Sequence, residues 1–447
     1  MPENENMPDS PTPDATTDSA TDPMTDSNPE AKVEAGAPAP QKAQANPPKD
    51  KGRKGGESEQ PKQSEQKADP TDKPAQPARA DKADKADKPK APRLTHPEPV
   101  HSTPDRSETL RRVDGREMRL AVGNSHFPVE QTEAWERFEE AIGRPLWGRY
   151  LYEDEGKPVA AIALYRYEMG GQTFLWAKHG PVWLKEQSPE REAHLRRLLR
   201  SVVKERDRSV RFIRMHARYG AADLRELLST ITYDRTYVID LVPKTPEKIA
   251  AVMPKDGRRA VKRAERVARE AGCTISDETG LSREEFDQVY EVLRETAERD
   301  GFKPHDAEVY WTMLTSLGEK NARLFVLRKD GVPHAWDLIL TSGKDSVAYY
   351  GASSNESRTF RGAEALDWWA ACTLAQEGYR GLDLMGAGSS RFPSLYTVGQ
   401  YKKRYAQHVT EVDGAWDVPV SRVIYSGMAT AKRLRDALRA RRGSREH

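Results

Sequence analysis

The sequence is poor in cysteine, in long apolar runs and in the residue patterns of metal or covalent catalytic sites. Its two cysteines, Cys273 and Cys372, form no CxxC pattern, and we expect both to be reduced core residues of a cytoplasmic protein. No run of 18 apolar residues occurs, so no membrane span is predicted. The polar, acidic start lacks the apolar stretch of a secretory signal. None of the ten histidines shows metal-ligand spacing, and no Ser/His/Asp or Cys/His arrangement is evident, so neither a metal nor a covalent mechanism is expected.

The first 109 residues lack aromatic side chains altogether. They hold 19 of the 31 prolines, and no Phe, Tyr or Trp precedes Phe127. Such a chain buries too little apolar surface to offset the entropy of ordering. We therefore predict that residues 1–109 are a disordered, charge-mixed tail; the alternative is a docking segment that folds on a partner. All nine Trp lie in the remainder, whose length suits two domains of about 130 to 190 residues.

An internal repeat supports two related domains. Glu155–Ala160 and Asp330–Ala335, about 175 residues apart, each begin with a turn and lead into an apolar strand. In each copy a turn that contains glycine follows this strand, at Gly170-Gly171 and at Gly343. The turn leads into an aromatic strand, FLWAKHG in the first copy and VAYYGAS in the second. Four features in the same order favour duplication. We place the domains at 110–243 and 244–425, followed by a basic C-terminal helix and tail at 426–447.

Hydrophobic periodicity predicts an α/β (α+β) arrangement in both domains. In the first domain we predict, in order, a strand at Met118–Val122, a helix at Gln131–Ile142, strands at Arg149–Tyr152, Val159–Tyr167 and Thr173–Trp176, a helix at Pro189–Arg206, and strands at Phe212–Met215 and Tyr237–Leu241 that complete the first sheet. In the second we predict a helix at Lys255–Ala271, a strand at Cys273–Ser276, helices at Ser282–Arg299 and Ala307–Leu317, a meander at Ala322–Leu327, Pro333–Leu340 and Ser346–Gly351, a helix at Ala363–Gly378 and a buried strand at Gly381–Met385. The element order strand, helix, meander, helix, strand resembles an acyltransferase domain of the GNAT type, and it occurs here twice in tandem.

Two basic segments, Lys255–Arg269 and Lys432–Arg442, indicate anionic partners. At helical spacing one face of the first segment carries Arg258, Arg259, Lys262 and Arg266. Each of these cations can pair with an oxygen of a phosphate-rich ligand. The alternative is a solvated helix face whose cations pair with glutamates of the same helix.

Polar residues also follow the ends of predicted strands in the second domain. Tyr401-Lys402-Lys403-Arg404-Tyr405 comes after a loop of small residues just beyond a strand end, where ligands of α/β folds tend to bind; the alternative is a surface amphipathic helix. Asp383 points opposite to its leucine neighbours and is either a paired structural carboxylate or a site residue. Tyr349 and Tyr350 are consecutive on a strand, so we expect one to face the core and the other a substrate.

A coenzyme A enzyme of this fold should carry a [QR]-x-x-G-x-[GA] loop that holds pyrophosphate at a helix N-terminus. The corresponding segment, Arg358–Ala363, has arginine instead of glycine at position 361. The sequence therefore argues against coenzyme A.

With these residues in view, the chain from about Phe127 to Tyr425 resembles the Fem-type aminoacyltransferases, which add amino acids from aminoacyl-tRNA to peptidoglycan precursors. The resemblance lies in the segments FPVEQTEAW, GRRAVKRAE, YYGASS, GLDLMG and YKKRY. It implies two GNAT-like domains whose cleft binds a muropeptide precursor linked to UDP or to a lipid. It further implies that Arg258 binds the precursor diphosphate, that Lys402 stabilises the aminoacyl ester or the developing charge, and that Tyr401 replaces a more usual Phe. Arg137 is a weaker match to a basic residue expected early in the first domain.

The function predicted from the sequence is therefore transfer of an amino acid from aminoacyl-tRNA to the side-chain amine of a stem peptide. We expect Lys402 and Asp383 to be catalytic, with no cofactor beyond aminoacyl-tRNA as co-substrate. The enzyme is expected in the cytoplasm, with peripheral contact to the inner membrane face. The alternatives are an acyl-CoA-dependent N-acyltransferase and a non-catalytic scaffold that binds RNA or anionic lipid.

Overall fold

The computed structural model describes residues 101–102, 107–228 and 232–443. The predicted disordered tail, residues 1–109, thus lies almost entirely outside the described residues. Where its last residues are described, they belong to two strands of the first sheet, His101–Ser102 and Glu108–Val113.

The described chain folds into two mixed sheets flanked by helices. The strands are β1 (His101–Ser102), β2 (Glu108–Val113), β3 (Leu146–Asp154), β4 (Lys157–Met169), β5 (Gln172–Trp176), β6 (Val182–Trp183), β7 (Val210–Ala217), β8 (Arg235–Asp240), β9 (Cys273–Asp277), β10 (Ala322–Lys329), β11 (Val332–Ser342), β12 (Asp345–Ser353), β13 (Gly381–Gly386), β14 (Thr410–Glu411) and β15 (Gly414–Pro419). The helices are α1 (Gly115–Val122), α2 (Glu133–Ala141), α3 (Pro189–Arg206), α4 (Pro246–Val252), α5 (Lys255–Glu270), α6 (Arg283–Asp300), α7 (Ala307–Leu317), α8 (Gly362–Gln376), α9 (Tyr396–Lys402) and α10 (Arg422–Gly443), with short 3-10 turns at Val129–Gln131, Glu356–Arg358 and Pro393–Leu395. No helix within these described ranges is both long and apolar enough to cross a membrane.

The two sheets have the same internal order. The first runs β1-β2-β3-β4-β5-β7-β15, with β6 paired to β4, and the second runs β14-β8-β13-β12-β11-β10-β9. In each sheet a three-stranded meander (β3, β4, β5 or β10, β11, β12) leads through a helix (α3 or α8) to a parallel strand (β7 or β13). The mixed α/β architecture predicted from the sequence is confirmed.

The repeated turns that suggested duplication have the same backbone conformation. Glu155 and Gly156, between β3 and β4, have φ of 50° and 72°, and Asp330 and Gly331, between β10 and β11, have φ of 52° and 79°. Positive φ at both central residues matches the type I′ turn that suits the twist of a two-residue hairpin. The predicted correspondence between the two segments is therefore present in the structure.

One strand was assigned to the wrong sheet. Tyr237–Leu241 was expected to complete the first sheet, but the observed β8 pairs antiparallel with β13 of the second. Conversely β15, at the end of the second half of the chain, pairs with β7 of the first sheet. Periodicity identifies a strand but does not say which distant strand it pairs with. Here each half supplies the strand that pairs antiparallel with the parallel strand, β7 or β13, of the other half's sheet.

The segment Met118–Val122 is a helix rather than the predicted strand. Asp114 caps α1, and Glu117 completes a reciprocal capping box with it. Met118 and Val122, four residues apart, are both buried, which fits one face of a helix. A short apolar segment carries too few residues for periodicity to separate the two structures.

Helix starts with clear capping residues agree closely with the sequence prediction. Thr132 caps α2, and Ser282 with Glu285 forms a capping box at the start of α6. Trp135 of α2 contacts Tyr349 of β12 with ring centroids 5.9 Å apart, and both belong to one apolar cluster that spans the two halves. The halves therefore share a continuous core.

Candidate active site

The parallel strands β12 and β13 separate after three residue pairs. Pairing runs from Asp345 opposite Gly381 to Val347 opposite Asp383 and then ends. Beyond this point a cavity of about 40 Å³ opens between the strands, α8 and α9. Its lining consists of Asp337, Ala348, Tyr349, Tyr350, Gly351, Ala352, Ala363, Leu366, Asp367, Leu384, Met385, Tyr401 and Lys402. This opening, which we call the splay cavity, brings together four of the predicted site residues: Lys402, Tyr401, Tyr349 and Tyr350.

Tyr349 and Tyr350 both line the splay cavity, against the expectation that one would face the opposite side. The pairing of β11 with β12 steps from Leu338 opposite Tyr350 to Ile339 opposite Ala348, so Tyr349 is an extra, bulged residue. A β-bulge interrupts side-chain alternation. As a result both rings join the same apolar cluster and meet edge to face at 5.1 Å.

Lys402 extends a buried ammonium group to the end of β13. The residue is 3% exposed, and Nζ donates hydrogen bonds to the carbonyl oxygens of Met385, at 3.2 Å, and Gly386, at 3.1 Å. Burial lowers the pKa of this ammonium to about 8, against the opposing effect of the nearby Asp383 and Asp367 carboxylates. A cation fixed at the mouth of a cavity can stabilise negative charge that develops on a substrate oxygen.

Asp383 lies within β13 and is held by two donors. The Thr236 hydroxyl and the Met385 backbone N–H, the latter at 2.6 Å, both donate to Oδ1. Burial raises the pKa of the Asp383 carboxyl, which the two hydrogen bonds and Lys402 oppose. Met385 has φ of 59° beside an irregularity in the pairing of β13 with β8. Asp383 thus fixes the strand end that presents its carbonyls to Lys402.

Tyr401 and Tyr405 share a carboxylate acceptor that the sequence did not single out. The Tyr401 hydroxyl donates to Asp367 Oδ2 at 2.5 Å, and the Tyr405 hydroxyl does so at 3.2 Å. Asp367, on α8, also hydrogen-bonds Asp337 of β11. Each aspartate lies within a run of apolar residues, HAWDLIL for Asp337 and ALDWWAAC for Asp367. A carboxylate within an apolar segment was thus the sequence feature that could have indicated the Asp337–Asp367 pair.

The segment that would bind pyrophosphate in a coenzyme A enzyme has a left-handed residue and an acidic first turn. Arg361, at the N-cap of α8, has φ of 56°, a conformation that favours glycine. Glu364 in the first turn accepts hydrogen bonds from Arg361, at 2.7 Å, and Arg404, at 3.1 Å. The Glu364 carboxylate thus lies near the positive end of this helix and is paired there with two guanidinium groups.

The predicted phosphate-binding cations lie on α5, outside the splay cavity. Arg259 and Lys262 are exposed, and Arg258 is half-buried with its guanidinium donating to the Ala251 carbonyl at 3.3 Å. The helix is held close to the end of α9, since a Cβ added at Gly257 would lie 1.7 Å from the Arg404 carbonyl oxygen. This contact couples the basic helix to the Lys402 segment.

Arg137 is exposed on α2, where its guanidinium donates to the Glu133 carbonyl. It lines neither the splay cavity nor a second cavity between the two halves. The structure therefore does not bring Arg137 together with the other predicted site residues.

The second cavity has Asp383 and Glu130 in its wall. His179, also in the wall, stacks on His216 with centroids 5.0 Å apart. Burial lowers the pKa of both imidazoles to about 4 and raises that of the Glu130 carboxyl. Both rings are thus neutral near pH 7, and Asp383 lies where its strand separates the two cavities.

Comparison with known proteins supports the fold and the class of chemistry. Residues 255–403, a third of the chain, match a family described as an acetyltransferase (GNAT) domain. The structure described as FemX is 15% identical with a TM-score of 0.58, covering 72% of this chain and 99% of that chain. The C-terminal domain of a putative lysylphosphatidylglycerol synthetase from Agrobacterium fabrum is 15% identical, with a TM-score of 0.44 and coverage of 73% and 97%. A tandem GNAT protein from the clavulanic acid biosynthesis pathway is 11% identical, with a TM-score of 0.43 and coverage of 70% and 99%. No curated protein sequence matches.

The predicted fold class, two GNAT-like halves in tandem, is confirmed, and the resemblance to Fem-type proteins extends to the three-dimensional fold. The family match and the splay cavity together support an acyltransferase.

Proposed function

We propose that this chain moves an amino acid from aminoacyl-tRNA to the side-chain amine of the stem peptide of a peptidoglycan precursor, which builds an interpeptide bridge. The observation that carries the proposal is the buried Lys402 ammonium at the point where β12 and β13 separate. An acyl group that enters this opening would lie beside a buried, fixed cation. The motifs shared with Fem-type proteins and the likeness in fold to FemX support an aminoacyl donor.

In the proposed step the acceptor amine attacks the carbonyl carbon of the aminoacyl ester. A C–N bond forms, the C–O bond to the terminal ribose of the tRNA breaks, the nitrogen loses a proton and the ribose oxygen gains one. Lys402 Nζ stabilises the negative charge on the carbonyl oxygen in the tetrahedral transition state. Because an ester is already activated, positioning and this electrostatic contribution carry most of the catalysis. Asp383 orients the strand end or accepts the proton from the amine.

The remaining predicted residues have binding roles in the proposal. Arg258, with Arg259 and Lys262 beside it on α5, binds the diphosphate that links the muropeptide to its carrier, because guanidinium and ammonium groups pair with phosphate oxygens. The exposure of Arg259 and Lys262 leaves them accessible to such a ligand. Tyr349, Tyr350 and Tyr401 line the splay cavity, and Arg137 is an outlying contact to the acceptor.

A second candidate is an N-acyltransferase that uses an acyl-CoA donor. The match of residues 255–403 to an acetyltransferase (GNAT) domain favours it. Against it stands Glu364 in the first turn of α8, where the carboxylate would repel a pyrophosphate. We therefore rank the aminoacyl ester first.

The decisive experiment is a transfer assay with purified full-length protein and a pool of tRNA charged with radiolabelled amino acids. Acceptors are UDP-linked and lipid-linked muropeptides with lysine or ornithine in the stem peptide, and a parallel arm offers labelled acetyl-CoA. We expect label to enter a muropeptide from the tRNA pool and not from acetyl-CoA. Label from acetyl-CoA alone would establish the second candidate. Salt-sensitive RNA binding with no transfer from either donor would instead indicate a scaffold.

The C-terminal helix offers a contact to the membrane on which a lipid-linked precursor resides. Leu434 and Leu438, four residues apart on α10, are 62% and 60% exposed, and basic residues surround them in the sequence. Such a helix binds anionic bilayers by burying the apolar stripe while its cations meet the headgroups. Co-sedimentation with vesicles containing phosphatidylglycerol should be lost on deletion of residues 431–447. Unchanged co-sedimentation would refute this contact.

A further inference from the structure

Two carboxylates, Asp337 of β11 and Asp367 of α8, lie next to each other in the wall of the splay cavity. Asp337 fits there because position 351 on the neighbouring strand is glycine. A Cβ added at Gly351 would lie 2.6 Å from Asp337 Oδ1. The sequence thus leaves room for a carboxylate in a sheet face otherwise built of apolar residues such as Ile339.

The two aspartates differ in their hydrogen bonds. Asp367 accepts from the hydroxyls of Tyr401 and Tyr405 and is hydrogen-bonded to Asp337. Asp337 Oδ2, in contrast, is buried and accepts no hydrogen bond from the described residues. A carboxylate oxygen can accept more than one hydrogen bond, so beyond the contact of Asp337 with Asp367 its Oδ2 can still accept from a donor that a ligand supplies in the cavity.

The neighbouring cations do not neutralise the pair. Lys402 directs its ammonium to two backbone carbonyls, and Arg361 and Arg404 both bind Glu364. Burial raises the pKa values of both aspartates, and the charge of Asp367 raises that of Asp337 further, which favours one proton shared between the two carboxyls. Two carboxyls that share one proton keep one negative charge, which a cationic group of a ligand can neutralise.

We propose that the Asp337–Asp367 pair binds the α-ammonium group of the aminoacyl donor, with Asp337 Oδ2 as an acceptor. This inference rests on the proposed function, because it concerns the donor of that reaction. In an aminoacyl ester the ammonium is attached to the carbon next to the reacting carbonyl. One site can therefore hold the ammonium on the aspartates while the carbonyl oxygen lies towards Lys402. The pair then selects donors whose acyl group carries a free amine and rejects simple acyl groups.

The test compares two donor pools that differ in this charge. One is tRNA charged with radiolabelled amino acids, and the other is the same pool after nitrous acid has converted the α-amines to hydroxyls. Loss of a charged hydrogen bond should lower the wild-type transfer rate from the hydroxyacyl pool by about tenfold to a hundredfold. Asp337→Asn and Asp367→Asn should each lower the rate from the aminoacyl pool by a similar factor and lower the rate from the hydroxyacyl pool much less. Asp287→Asn, an exposed carboxylate on α6, is the matched control and should behave as wild type with both pools.

The outcomes distinguish a failure of the ammonium site from a failure of the proposed function. Equal wild-type rates from the two pools would overturn the ammonium site, and this comparison holds even if a variant fails to fold. Equal losses from both pools in the asparagine variants would also overturn it, because the pair would then serve proton transfer or positioning. Transfer from neither pool by the wild type would refute the proposed function itself and this inference with it.

Discussion

The two halves of the molecule share a strand order but differ at the junction of their parallel strands. In the first half β5 and β7 stay paired as far as Trp176 opposite Arg214, and the Ala177 N–H continues the pairing to the Arg214 carbonyl at 2.9 Å. In the second half β12 and β13 part after Val347. The first junction is closed, and the second is open.

Different side chains occupy the two junctions. Arg214 and Asp417, both fully buried, form an ion pair between β7 and β15 at 2.7 Å. The guanidinium lies 5.0 to 5.5 Å from the ring centroids of Phe174, Trp176 and Phe212. At the second junction the cation is Lys402, and its partners are the Met385 and Gly386 carbonyls.

The contrast explains how a duplicated fold can keep one site. A buried ion pair in good geometry satisfies its own hydrogen bonds and leaves nothing for a ligand. A strand that leaves its neighbour exposes backbone and side-chain polar groups that a substrate can satisfy. The first half thus serves as a scaffold, and the second carries the candidate active site. The predictions below test this division of roles in order of decreasing expected effect.

The largest effect should come from breaking the closed junction. Arg214→Met leaves Asp417 buried without its cation, which should lower the free energy of unfolding by about 3 to 5 kcal/mol. Urea unfolding followed by fluorescence measures this loss. The double variant Arg214→Met/Asp417→Leu removes both charges and should recover most of the stability. Folded Arg214→Met at low temperature should retain its transfer rate within about threefold. A large loss of turnover without loss of stability would assign chemistry to the first half and end the comparison.

The second largest effect should come from removing the Lys402 ammonium group at the open junction. Lys402→Met should lower kcat by about a hundredfold to a thousandfold, the usual effect of removing a group that stabilises an oxyanion. Precursor affinity should change much less, because the proposed interaction is made in the transition state. Lys403→Met, the exposed neighbour, is the matched control and should retain wild-type kcat. Equal activity of Lys402→Met and wild type in the transfer assay would remove Lys402 from the mechanism.

Local signals in the sequence were sufficient for most elements. Thr132 and Ser282 cap helices through their own hydroxyls, and the Glu155-Gly156 and Asp330-Gly331 turns need only their own residues. These features depend on neighbours a few positions away, so a single sequence contains the information. The repeat made the tandem arrangement predictable for the same reason.

What the sequence could not supply is non-local. The partner of β8 depends on a strand more than 140 residues further along the chain, and the bulge at Tyr349 depends on the register with β11. Asp337 and Asp367 meet because α8 packs on the sheet. Nothing near either residue indicates the other, although a carboxylate in an apolar segment was a signal that could have been followed.

A smaller effect should follow from moving the basic helix against the open junction. Gly257→Ala would place a Cβ 1.7 Å from the Arg404 carbonyl oxygen, so α5 has to shift at a cost of about 1 to 3 kcal/mol. Because Arg404 lies two residues after Lys402, we expect lower kcat together with lower stability. Gly427→Ala is the matched control: it is also within a helix, but open space surrounds the site, so the variant should be as stable as wild type or slightly more stable. If Gly257→Ala were as active and stable as wild type, α5 would not position the Lys402 segment.

The smallest effect near neutral pH, and the most diagnostic of the open junction, is the response of Lys402 to pH. Burial lowers the pKa of its ammonium to about 8, below the ordinary lysine value of about 10.4. Since the proposed role needs the protonated form, kcat should fall about tenfold for each pH unit above 8. The free energy of unfolding should change in the opposite direction over the same pH range. Between about pH 8 and 10.4 the unfolded chain holds a proton that the folded chain has released, so the free energy of unfolding rises with pH. Transfer rates from pH 6.5 to 9.5, corrected for spontaneous hydrolysis of the ester, would show the alkaline decline. Folded Arg214→Met should keep the alkaline decline, because the closed junction takes no part in the reaction. The residual activity of Lys402→Met should lack this decline. A decline that persists in Lys402→Met would belong to another group and would separate the pH response from the open junction.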